Sequence, residues 1–128
     1  MPESYAQSAL RHLADADHLA SEQAWHGAGY LIGYVVECAI KTAVEGAKPN
    51  ENVPYDHLPK LIGSSKKMLQ GRRHQGMLTI LASPRLMSGW SVTLRYAADG
   101  VVGEVVFNDW RKGAIRVLAA AGFKKAKV

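Results

Sequence analysis

The chain has 128 residues, 48% hydrophobic and 21% charged, which fits one globular domain and excludes a mainly disordered chain. Glu37 and Lys41 interrupt the longest apolar region, so no run reaches the about 18 uncharged apolar residues of a membrane span. The net charge of +5 divides unevenly, −5 over residues 1–56 and +10 over residues 57–128, which points to an anionic partner or to one half folded against the other.

Residues 1–10 lack the basic-then-apolar order of a secretory signal, and Cys38 is the single cysteine. The expected setting is therefore reducing and cytoplasmic. Ser4 with Gln7 has the form of a capping box, and Tyr5, Ala9, Leu13, Ala16 and Leu19 then recur at helical steps. Ser21 is placed to cap a second helix from Glu22 to Val44, roughly 35 Å long at 1.5 Å per residue. Its apolar residues (Trp25, Ala28, Leu31, Ile32, Val35, Cys38, Ala39) cover more than one face, as in the centre of a bundle. Gly27 and Gly33 each cost about 1 kcal/mol of helix propensity, which close approach of a neighbour would explain.

Pro and Asn make Ala47 to Asp56 a loop, and His57 to Ile62 reads as one helical turn. Gly63-Ser64-Ser65 reads as a break with a fresh cap, followed by a third main helix from Lys66 to Ala82 with Arg72 and Arg73 exposed. Trp90 to Tyr96, between Gly89 and Gly100, reads as a short extended segment or loop, and Val101 to Ala121 as the last helix. The expectation is an all-α antiparallel bundle of four to five helices spanning residues 1–121, with a basic tail at 122–128.

The run Gly33-Tyr34-Val35-Val36-Glu37-Cys38-Ala39-Ile40-Lys41 resembles the Gly-Tyr-x-x-Glu-Cys-x-Leu-Lys signature on the second helix of HEPN domains. Other features follow in the family's order. Ala9-Leu10-Arg11-His12 with Asp15-Ala16 reads like its opening helix, His57-Leu58-Pro59-Lys60-Leu61 resembles its His-x-Leu-x-x-Leu turn, and Trp90 with Arg95-Tyr96 resembles a Trp…Arg-Tyr segment before the last helix. The resemblance implies a helical bundle that pairs as a homodimer and binds RNA, a nucleotide or a nucleotidyltransferase-like partner, sometimes as half of a toxin–antitoxin pair. It does not imply typical HEPN ribonuclease activity here. That activity rests on an arginine and a histidine separated by four to six intervening residues on a late helix, where histidine moves the proton and arginine holds the phosphate. No late arginine of this chain has such a histidine, and the sole pair of that spacing, Arg11 and His18, lies on the first helix.

Glu37 and Lys41 are four apart with the acid first, the favoured order for a helical ion pair. The resemblance also sets them against the family's E-x3-K-R element, with Thr42 where the second basic residue would stand. The ligand-binding set expected from these readings is Tyr34, Glu37, Lys41, Trp90, Arg95 and Tyr96. A guanidinium beside aromatic rings holds a phosphate and a base together. One alternative is a metal-independent ribonuclease with an atypical set of His57, Arg95 and Lys41. Another is a non-enzymatic scaffold whose basic half docks an acidic protein. The histidines lack metal-ligand spacing, and no dinucleotide or phosphate-loop fingerprint is present, so neither metal nor cofactor is expected.

Overall fold

The computed structural model describes residues 3–123, so the basic residues Lys124, Lys125 and Lys127 lie outside the described residues. Five α-helices, α1 (Tyr5–Ser21), α2 (Trp25–Ala47), α3 (Lys60–Met68), α4 (Gln75–Leu81) and α5 (Glu104–Ala120), form the bundle, with no strand among the described residues. The 3₁₀ turns Arg72–His74 and Val92–Tyr96 complete the helical segments. The all-α bundle expected from the periodicity is the observed fold.

Twelve of the 23 residues of α2 are buried, so packing outweighs its poor intrinsic propensity. Its neighbours are α1 and α5, with α3 and the second 3₁₀ turn against its remaining surface. Ala9, Leu13 and Ala16 of α1, and Phe107, Trp110, Ala114, Val117 and Leu118 of α5, close the core around it. Gly33 takes its place from this packing. A β-carbon there would fall inside the Trp90 indole, whose N–H donates to the carbonyls of Gly29 and Tyr30, both at 3.2 Å. The close neighbour is thus a side chain from the 83–91 connection, not another helix.

Several boundaries differ from the sequence expectation. Ser4 caps α1 as expected, its hydroxyl accepting from Gln7 N at 3.2 Å. Ser21 does not cap α2. It is the last residue of α1, and its hydroxyl donates to the His18 carbonyl at 2.6 Å. Gln23, at φ 61°, then turns the chain, and α2 begins at Trp25 and runs to Ala47.

The expected break at Gly63-Ser64-Ser65 lies inside α3, and the expected helix from Lys66 to Ala82 is divided. Leu61, Ser65 and Leu69 are all fully buried, and their four-residue spacing holds the turn helical through the serines. Ser64 donates to Asp56 in place of capping a new helix. The true break is Gly71, at φ 108°, a backbone state that side chains disfavour. Trp90 to Tyr96 is not extended either: Val92–Tyr96 is a 3₁₀ turn whose Ser91 hydroxyl accepts from Thr93 N at 3.3 Å. The last helix starts at Glu104, three residues after Val101.

Candidate functional site

One face of α2 carries polar side chains at steps of three and four, and each reaches a different partner. His26 Nε2 donates to the Leu94 carbonyl at 2.7 Å, which pins the 3₁₀ turn to the start of α2. Tyr30 accepts from Arg95 Nε at 3.1 Å and Nη2 at 2.8 Å, and its hydroxyl lies 2.8 Å from that of Tyr34. Glu37 and Lys41 come next, then the helix leaves the site. The Tyr30 ring stacks on buried Trp90 at 5.7 Å, and Tyr34 meets the same indole edge-on at 5.6 Å. Trp90 is therefore the floor beneath the tyrosines and does not line the cleft above them.

That cleft, of about 350 Å³, is lined by Tyr34, His57, Val92, Thr93, Arg95 and Tyr96. Arg95 is exposed and stands 5.7 Å from the Tyr30 ring centre and 5.8 Å from that of Tyr96, within cation–π range. The hydrogen bonds that its guanidinium donates to Tyr30 favour the charged form, and among the described residues no carboxylate pairs with it. Tyr96 is 81% exposed, a free aromatic face beside that charge. Burial, reinforced by the Tyr30 hydrogen bond, pushes the Tyr34 phenol up to about 12, so it remains a neutral hydroxyl in the cleft wall.

Below this surface lies an ionic cluster. Glu37 and Lys41 are 5% and 6% exposed, deeper than a half-buried surface pair. The Lys41 ammonium sits 3.6 Å from Glu37 Oε2 and 5.5 Å over the Tyr5 ring. Glu37 Oε1 accepts from His57 Nδ1 at 2.9 Å. A carboxylate only accepts, so Nδ1 carries the hydrogen of this contact and Nε2 is turned away from Glu37. Of the residues expected to bind a ligand, Tyr34, Arg95 and Tyr96 share the cleft with His57. Glu37 supports His57 from beneath, and Lys41 touches the cleft only through Glu37. Asp56 does not pair with His57; it accepts from Ser64 and lies 3.8 Å from the Lys60 ammonium.

The remaining sequence features resolve plainly. Thr42, in the place of the second basic residue, donates to the Cys38 carbonyl of its own helix at 2.8 Å. Cys38 is buried and its thiol is pushed up to about 11 by burial and by Glu37. Arg11 donates to Ser8 Oγ at 3.1 Å and shares a cavity with His12, whereas exposed His18 does not line it. The acidic and basic halves meet where Arg111 grips both oxygens of Asp17, at 2.7 and 2.8 Å. No cluster of three or more metal-ligating side chains occurs among the described residues, and no helix there is long and apolar enough to cross a membrane.

Two participants escaped the sequence reading. His26 shows no motif, and its contribution depends on Leu94, 68 residues away. In the sequence His12 figures only within the opening-helix resemblance; its ring lies 5.8 Å from Tyr34 across the α1–α2 packing. Comparison with protein-family models, curated proteins and solved structures finds no match for this chain, so the HEPN resemblance rests on its motif residues.

Proposed function

We propose that the cleft beneath Arg95 binds the phosphate and base of RNA or of a nucleotide, in a HEPN-like module without the family's typical nuclease motif. The observation that carries this reading is the chemistry holding Arg95. A phenol fixes the guanidinium without cancelling its charge, and a free aromatic ring stands beside it. That combination suits a phosphate attached to a base, because one group supplies charge and the other stacking. A nucleotidyltransferase-like protein, a second copy of this chain and a cytoplasmic toxin–antitoxin role belong to the same reading through the resemblance.

The test is binding of labelled mixed-sequence RNA in chelator at low and high salt. The expected result is binding that weakens with salt and that Arg95→Ala reduces by about tenfold, the loss of a charged contact. RNA and nucleotide left unbound at low salt would overturn the reading.

A second reading has its own observation. Glu37 accepts from Nδ1 of His57, which faces the same cleft as Arg95. In a metal-independent ribonuclease His57 Nε2 would take the 2′-hydroxyl proton while Arg95 offsets charge on the phosphate. Lys41 would contribute only by compensating Glu37. This reading expects cleavage in chelator that His57→Ala abolishes with the melting temperature unchanged; cleavage retained in that variant removes His57 from the chemistry.

A further inference from the structure

Away from the Arg95 cleft, a cavity of about 250 Å³ opens where α4, the 83–91 connection and α5 meet. Ile80, Leu86 and Met87 supply its apolar floor, with Met87 only 6% exposed. Arg85, Lys112 and Arg116, all exposed, supply its rim, and Asp109 lies beside them. Lys112 and Arg116 stand four apart on α5 and so share one face of the helix. Among the described residues none of the three cations pairs with a carboxylate. The α4 wall adds no acid either, because none occurs between Asp56 and Asp99.

The walls are set by the fold itself. Trp110 Nε1 donates to the Ser88 carbonyl at 3.0 Å, and Trp90 N donates to the Met87 carbonyl at 3.0 Å. Ser83 Oγ accepts from Arg85 N at 3.3 Å, which fixes the turn that carries this arginine. A β-carbon on Gly113 would lie 3.1 Å from Leu86 Cδ1, so the connection rests directly on α5. Met87 keeps φ 53°, a left-handed backbone that a side chain of its size rarely adopts, and these contacts hold it there.

We infer that this cavity docks an acidic peptide segment of a partner protein, with one apolar side chain inside and flanking carboxylates on Arg85, Lys112 and Arg116. Charge complementarity carries the choice of occupant: three cations against Asp109 leave the lining at +2. The volume falls below the about 300–1,000 Å³ usual for small-ligand sites, so it gives room to one side chain rather than to a nucleotide. A bare phosphate would gain nothing from the apolar floor, whereas a leucine-like side chain loses its contact with water there. The inference stands independently of the nucleotide reading of the Arg95 cleft.

Amide NMR of the full chain, titrated with the end-capped peptide Glu-Glu-Leu-Glu-Glu, tests this. Saturable shifts are expected at residues 79–87 and 109–116, with the amides of Tyr34 and Thr93 unmoved. Affinity should fall with salt, and the serine analogue Glu-Glu-Ser-Glu-Glu should bind about tenfold more weakly. Lys112→Gln combined with Arg116→Gln should weaken the leucine peptide by about fivefold and flatten its salt dependence, whereas Arg95→Ala should leave it unchanged. Arg85→Gln, on the opposite wall, is a second variant expected to weaken it. The three side chains are exposed, and an unchanged melting temperature excludes unfolding as the cause. No saturable shifts at low salt would overturn the inference. So would equal binding of the leucine and serine peptides, which would reduce the site to bulk charge attraction. Hexanoate giving the same shifts at the same concentration would make it a small-acid site, and oligoadenylate displacing the peptide would make it a nucleic-acid surface; either overturns the peptide as occupant.

Discussion

The two halves of the α2 polar face handle positive charge in opposite ways. Toward its C-terminal end Lys41 is buried against a carboxylate and under a tyrosine ring. Toward its N-terminal end Arg95 is exposed and held by a phenol. Both contacts order a long cationic side chain, but only the carboxylate cancels its charge. Burial without a counterion costs far more than exposure without one, which is why the interior cation is the compensated one. Two cationic side chains in one sequence can thus look alike and end up differently placed, one neutralised inside the fold and one left charged at the surface.

Perturbing Glu37 should separate the two halves most sharply. Glu37→Ala strands the Lys41 charge in the core and is expected to destabilise the chain by about 3–5 kcal/mol in urea denaturation. Replacing both partners, as Glu37→Leu with Lys41→Met, should recover most of that loss; a double variant as unstable as Glu37→Ala would contradict the stranded-charge explanation. Gly33→Ala comes next. It sets a methyl against the Trp90 indole beneath the tyrosines, and about 1–3 kcal/mol of destabilisation is expected, together with a shift in tryptophan fluorescence. Arg95→Ala, at the exposed end, should alter stability by less than about 0.5 kcal/mol even as it weakens RNA binding. A large stability loss there would make Arg95 a structural residue and erase the contrast.

The smallest expected effect is a pH dependence from His12. Its pKa in the folded chain is lowered from 6.5, by burial first and by Arg11 next, while Asp15 and Glu37 pull the other way. As the pH falls below 6.5 the unfolded chain therefore takes up this proton before the folded chain does. Stability from this group is full above that pH, declines below it, and stops declining once the folded histidine also protonates. Denaturation midpoints across this range should fall less steeply for His12→Gln than for the wild type.

What the sequence showed depended on whether the signal was local. The cap at Ser4, the apolar stripe of α1 and the all-round burial of α2 are written in three- and four-residue spacings, and they were legible. The pairing of Glu37 with Lys41 was legible for the same reason. Ser21 misled because a serine between two helices can bond backward as readily as forward, and here it bonds to His18. Gly63-Ser64-Ser65 misled because the fully buried Leu61, Ser65 and Leu69 outweigh weak propensities, a tertiary effect that no local pattern displays. In the site, Tyr34, Arg95 and Tyr96 were found through a motif. The support from His57 to Glu37, the pin from His26 to Leu94 and the proximity of His12 to Tyr34 join residues distant in sequence, and only the packed chain reveals them.

The two hydrogen bonds from Arg95 to Tyr30 also have a thermodynamic meaning. An arginine waving in solvent must surrender its rotamers when a ligand arrives, a loss of about 0.5–1.5 kcal/mol per side chain. Arg95 has surrendered them already, to a tyrosine that is itself locked by stacking on Trp90. The ordering entropy of this side chain is thus settled during folding. Association at this cleft should therefore show a smaller entropic penalty in calorimetry than it would with Tyr30→Phe, which leaves the ring in place and frees the guanidinium.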